Sequence, residues 1–208
     1  MISRSLLTVE PISLLETPIS LISHNHAAPG GSLPTHASGD LIVAVGINFD
    51  GDSISTPAGW TLETTGGSLS LGAYRAWLGY KVAASASEAA ATWTNVDVVT
   101  YAVFRDWGSI GQVSTGRDPG SPYALYFSTV EESNGSCFVV QFLYAVGAGN
   151  TPTLSNSYFT ETTPVDAGGA TCHLAYRAGL VDKDLPDTEA TYSPGAGYMV
   201  RAFVEVKA

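Results

Sequence analysis

Leu41-Ile-Val-Ala-Val-Gly-Ile47 is an unbroken apolar run, closed off by Ser38-Gly39-Asp40 before it and Asp50-Gly51-Asp52 after it. A run this short with turn residues at both ends fits a central strand covered on both faces. Working outward, the rest of the chain reads the same way. Tyr123-Ala-Leu-Tyr-Phe-Ser-Thr-Val130 sets Tyr123, Leu125 and Phe127 on one face, and Cys137-Phe-Val-Val-Gln-Phe-Leu-Tyr144 sets Phe138, Val140, Phe142 and Tyr144 together. Val98 to Phe104 and Tyr198 to Val206 are two further strand candidates. The one helix-like stretch, Val82 to Ala91, is short and has no apolar stripe, so a loop or single turn is expected there. The class is all-β.

The chain also resembles itself. Gly39-Asp40-Leu41-Ile42-Val43 recurs as Gly135-Ser136-Cys137-Phe138-Val139, and Trp60-Thr-Leu-Glu-Thr-Thr65 as Tyr158-Phe-Thr-Glu-Thr-Thr163. Leu78-Gly-Tyr-Lys81 recurs as Leu174-Ala-Tyr-Arg177, Ala91-Thr-Trp-Thr94 as Ala190-Thr-Tyr-Ser193, and Tyr101-Ala-Val-Phe104 as Arg201-Ala-Phe-Val204. Five matches in one order indicate a tandem duplication. Each half would supply strands whose apolar face cannot be buried alone, so the two halves should pack on each other. The expected fold is an antiparallel β-sandwich or jelly roll at 24–208, with halves near 24–107 and 108–208. Two separate small barrels joined by a linker near 107–122 are the alternative.

Composition limits the partners. Among 208 residues, 19 are acidic and nine basic, for a net charge of −10, and no basic cluster reverses that locally. Direct nucleic-acid binding is therefore not expected. With 45% hydrophobic and 13% charged residues the chain can build a real core. Cys137 and Cys172 each lie in an apolar run and read as buried thiols, with one bridge open if neighbouring strands bring them together. The apolar stretch after Arg4 ends at Glu10-Pro11, too soon for a secretion signal, and nothing reaches transmembrane length. A soluble protein made in the cytoplasm, without membrane contact, is the expectation.

Residues 1–23 read as an extended arm. Pro11-Ile-Ser-Leu-Leu15 is echoed seven residues on by Pro18-Ile-Ser-Leu-Ile22, an odd offset that would put the copies on opposite faces of a strand. The prolines argue against a central sheet position. Ile2, Leu6, Leu7, Val9, Ile12, Leu14 and Leu15 then form an apolar arm that lies on a neighbouring subunit or covers its own sandwich.

Signals for chemistry are sparse. His24, His26 and His36 fall close in sequence, but no Cys, Asp or Glu between them completes a ligand set, and no metal is expected. Asp182-Lys-Asp184-Leu-Pro-Asp187-Thr-Glu189 resembles a carboxylate loop for calcium but lacks EF-hand spacing, so a solvated turn is favoured. Glu63 and Glu161 stand at matched places in the two halves, which suggests structure rather than an acid/base pair. No nucleophile elbow, P-loop or zinc-protease motif is present, and neither an enzyme nor a cofactor is expected. Tryptophans offer a sugar-stacking alternative, with Trp77 and Trp107 as its candidates.

Leu33-Pro-Thr-His-Ala-Ser-Gly-Asp-Leu-Ile-Val43, then Thr56-Pro-Ala-Gly-Trp-Thr61, then Gly79-Tyr-Lys-Val-Ala83 carry a resemblance. Over about residues 33–107 the chain is similar to a loose group of β-sandwich domains in bacteriophage virion proteins. The resemblance implies a fold and a phage setting and brings no catalytic residues. It covers both tail-associated proteins and small proteins that coat capsids. A compact two-half body with a short arm suits a capsid decoration (cement) protein. That reading implies a chain made in the host cytoplasm and located on the capsid surface of the virion. It would bind the phage major capsid protein as a symmetric homo-oligomer, a trimer first. A tail or fibre module binding a host glycan is the alternative.

Overall fold

A computed structural model of the chain describes residues 18–63, 74–119, 123–125, 137–147, 149–155, 157–179, 188–193 and 198–208. Among them are fourteen strands and no helix, and every pairing between strands is antiparallel. The chain completes one sheet before it begins the next. β1 (Ser20–Ala27), β2 (Leu41–Asn48), β3 (Thr61–Leu62), β4 (Arg75–Val82) and β5 (Val98–Arg105) form the first, in the order β1-β5-β2-β4-β3. The second half runs through β6 (Ser109–Pro119), β7 (Tyr123–Leu125), β8 (Cys137–Val146), β9 (Thr151–Leu154), β10 (Thr160–Glu161), β11 (Val165–Ala167), β12 (Ala170–Ala178), β13 (Thr188–Ser193) and β14 (Tyr198–Lys207). Its main sheet has the order β6-β14-β8-β12-β10, with β11 paired to β12. A small third sheet follows the order β7-β13-β9. Taken in chain order, the five main strands of each half occupy the same five places.

The two main sheets bury a common core. Leu41, Val43, Val45 and Ile47 alternate onto the inner face of β2, and Phe138, Val140, Phe142 and Tyr144 do the same on β8. Phe104 and Phe138 meet edge to face at 5.3 Å, and the Tyr144 hydroxyl donates to the Val45 carbonyl at 3.1 Å. That shared core makes the molecule an antiparallel sandwich and excludes two separate barrels. A jelly roll would pass strands back and forth between the sheets, which does not occur among the described residues.

Register corrects the sequence matching in detail. Leu41 pairs with Val82 and Phe138 with Ala178, while Leu41 also pairs with Phe104 and Phe138 with Val206. Leu41 therefore corresponds to Phe138, not to Cys137, which faces outward. The side-chain period of two means that the one-residue slip would have exchanged core and outer face. Likewise Glu63 N–H donates to Leu78 O and Thr162 N–H to Leu174 O, both at 3.0 Å, so Trp60 corresponds to Phe159 and Glu63 to Thr162. Glu161 takes the place of Leu62, and the two glutamates are not counterparts. Phe104 corresponds to Val206 rather than to Val204. At that point both edge strands carry an irregularity: between Leu21 and Ser23 of β1, opposite Phe104, and opposite Val204–Val206 in β6.

β1 begins at Ser20 and Ile19 is buried in the shared core, so the sandwich reaches back into the stretch read as arm. The apolar positions Ile2, Leu6, Leu7, Val9, Ile12, Leu14 and Leu15 lie outside the described residues, as do Asp182, Asp184 and Asp187. No disulfide forms: Cys172 faces the shared core and Cys137 the opposite face of the same sheet. Burial pushes the Cys172 thiol up to about 12.

Candidate functional site

The resembling stretch builds structure at each of its motifs. Gly39 adopts a φ of +90°, a left-handed conformation that glycine tolerates, and its N–H donates to Ala83 O at 2.8 Å. Asp40 is 2% exposed. It accepts Ala37 N–H at 2.7 Å and a bidentate grip from Arg105 Nε and Nη2 at 2.8 and 2.7 Å. The Arg105 hydrogen bonds hold its carboxyl below the ordinary range. In the next motif Trp60 N–H closes a turn on Pro57 O at 3.2 Å, which delivers the indole to the outer face of the first sheet.

There Trp60 meets Trp77, Trp93 and Tyr101 at ring distances of 6.2, 5.9 and 6.1 Å, and Trp77 meets Trp93 edge-on at 4.7 Å. Trp93 Nε1–H donates to Tyr101 Oη at 2.7 Å and Trp77 Nε1–H to Thr56 Oγ1 at 3.2 Å. The Trp77 ring lies across Gly79, where a Cβ would collide with it. Trp77 is 2% exposed and cannot stack on a sugar in this fold. Trp107, between β5 and β6, is partly buried against the shared core, with its indole N–H on Gly39 O at 3.0 Å.

The outer face of the second sheet is different at the same places. Gln141 stands where the first half has Ala44, His173 where it has Trp77, Glu205 where it has Val103, and Glu161 where it has Leu62. Gln141, His173 and Glu205 are each 0% exposed. Glu205 Oε2 accepts the Gln112 N–H at 2.9 Å, beside Gly111, which leaves no room for a Cβ next to that carboxylate. His173 Nε2 lies 3.7 Å from Glu161 Oε2. Burial pulls the imidazole down to about 3 and raises the Glu161 carboxyl, so near neutral pH the ring is neutral and the contact is not an ion pair. Neither amide atom of Gln141 has a hydrogen-bond partner among the described residues. Composition gave no sign of this group, because its members are scattered over 65 positions and each looks ordinary in its own strand.

The histidine trio does not converge. His24 and His26 share a face of β1 with ring centroids 6.1 Å apart, and His26 Nδ1 is 2.8 Å from Thr100 Oγ1. His36 instead braces its own loop: Nδ1–H donates to Pro34 O at 2.7 Å and Nε2 accepts Glu88 N–H at 3.4 Å. It lines an open hollow of about 390 Å³ between residues 32–36 and 86–90, flanked by the Lys81–Glu88 ion pair. No group of three His, Cys, Asp or Glu suited to a metal occurs among the described residues.

No protein-family model, no curated protein and no solved structure matches this chain.

Proposed function

We propose that this chain is a structural protein of a bacteriophage particle, a decoration protein that fastens to the major capsid protein on the outside of the head. The observation that carries the proposal is the use to which the resembling stretch is put. Gly39, Asp40, Trp60 and Trp77 make a turn, a clamp and a buried aromatic cluster. The most distinctive residues of the sequence therefore serve the body of the sandwich. Its work is mechanical: many weak contacts, repeated over a symmetric shell as a homo-oligomer, resist pressure from within. A net charge of −10 suits an outward surface that stays soluble at high density and does not engage nucleic acid. The apolar positions from Ile2 to Leu15 are assigned to contact with the capsid or a neighbouring subunit. The glycan-binding alternative retains Trp107 as its candidate.

Copy number in purified particles tests the proposal. A decoration protein is present on the order of hundreds of copies, as repetition over a symmetric shell requires. A handful of copies would place it in the tail and overturn the assignment. Deleting residues 1–15 is expected to abolish attachment to particles while leaving the circular-dichroism spectrum of a β protein. Unchanged occupancy would remove the arm from the contact.

A further inference from the structure

A second hollow lies between the loop that follows β8 and the hairpin of β11 and β12. It measures about 270 Å³ and is lined by Gly149, Asn150, Pro164, Asp166 and Thr171. Two glycines at positive φ, Gly147 and Gly149, bend the loop, and Gly147 N–H ties it to Gly169 O at 2.9 Å. Asp166 and Thr171 face each other as cross-strand partners. Thr171 Oγ1–H donates to Asp166 Oδ1 at 2.6 Å, and Gly149 N–H reaches both carboxylate oxygens at 3.0 and 2.9 Å. Asn150 N–H donates in turn to Thr171 Oγ1 at 3.0 Å.

Asn150 sets the chemistry of the hollow. It is 6% exposed, and its Nδ2 donates to Gly147 O at 2.7 Å, which fixes the amide orientation. Oδ1 is then a buried acceptor without a donor among the described residues. The hollow is also lined by a carboxylate with lone pairs to spare and a hydroxyl oxygen, while Pro164 brings no N–H. These free positions are oxygens carrying one net negative charge, so the hollow suits a cation and not an anion. An irregular oxygen set on a glycine-bent loop, with room for water, matches calcium better than magnesium, which requires a tight octahedron.

We propose that Asp166, Asn150 and Thr171 form a calcium site, with water completing the coordination shell. A single carboxylate places its affinity with the weak extracellular class, with Kd on the order of 10⁻⁴ to 10⁻³ M. None of these three residues belongs to the acidic stretch at 182–187.

Calorimetric titration of the chelator-treated full chain with calcium chloride, with melting curves in parallel, tests it. Calcium should bind in that range and raise Tm, and magnesium should bind at least about tenfold more weakly. Asp166→Asn, which keeps the shape of the side chain, should weaken calcium at least about tenfold. Asn150→Asp adds a second carboxylate beside the ion and should tighten it by about as much. Absence of binding at about 10 mM calcium, binding that survives Asp166→Asn, or an Asn150→Asp protein that folds with unchanged affinity would each overturn the site. Should Asn150→Asp fail to fold, the wild-type titration and Asp166→Asn still decide.

Discussion

The outer faces of the two main sheets occupy equivalent places in one repeated frame, yet they are built on opposite principles. The first is apolar and aromatic, with Trp60, Trp77, Trp93 and Tyr101 packed over Ile42, Ala44 and Val103. The second carries Val139, Leu143, Phe159 and Phe203 but sets buried polar groups among them, Gln141 paired with Phe203, His173 with Leu143 and Glu205 with Val139. Both faces are covered by the segment that precedes the last strand: Trp93 and Val96 in one half, Ala190 of β13 in the other. Strand order and edge irregularity thus tolerate a wholesale exchange of apolar for polar side chains. The frame depends on the shared inner core; the outer layers are separately variable.

The largest effect is expected from breaking the aromatic side. Trp77→Ala removes the ring that touches both Trp60 and Trp93, and it should cost about 3–5 kcal/mol in urea unfolding, the usual loss for a buried tryptophan. A loss below about 1 kcal/mol would show the cluster to be dispensable.

Acid should next test the buried histidines, one on each main sheet. His26 of β1 is held near 4 and His173 of β12 near 3, both chiefly by burial, against the ordinary 6.5 of a free imidazole. Between pH 6.5 and those values the unfolded chain binds protons that the folded chain refuses. Stability is therefore complete above about pH 6.5 and falls as pH drops, by about 1.4 kcal/mol per pH unit for each histidine. Chemical denaturation at a series of pH values measures the slope. His173→Phe should reduce it, and a slope unchanged by that substitution would show that His173 is not kept neutral by the fold.

The smallest effect has the opposite sign. Gln141→Leu exchanges a buried amide that has no partner among the described residues for an apolar group of similar size, and should raise stability by about 1 kcal/mol, read as a higher Tm. A fall in Tm would mean that the amide is held by a partner such as bound water.

The elements legible in sequence are those whose pattern is local. Leu41–Ile47 is apolar throughout because β2 is covered on both faces, and β2 is where the run placed it. Correspondence between the halves was legible in outline but not in phase. Matching by residue type aligned Leu41 with Cys137, while hydrogen-bond register aligns it with Phe138. Loops of unequal length give each strand pair its own offset, and a short strand carries too few letters to fix parity. β1 was obscured for another reason: Ser20-Leu-Ile-Ser-His-Asn-His-Ala27 mixes polar and apolar residues, as an edge strand can when one side is half-buried. The polar group around Gln141 and the oxygen set at Asp166 depend on pairings between distant strands. No spacing within either segment encodes them.

Finishing one sheet before starting the other has a consequence for synthesis. Once Arg105 has emerged, the first sheet has all its strands, yet Leu41, Val43, Val45 and Ile47 still lack the layer that will cover them. The cover arrives only as β8 and β14 follow, and the second sheet of a neighbouring nascent chain presents the same surface. Crowded polysomes would therefore favour exchange of whole halves between copies, joined through the short Asp106–Gly108 connection.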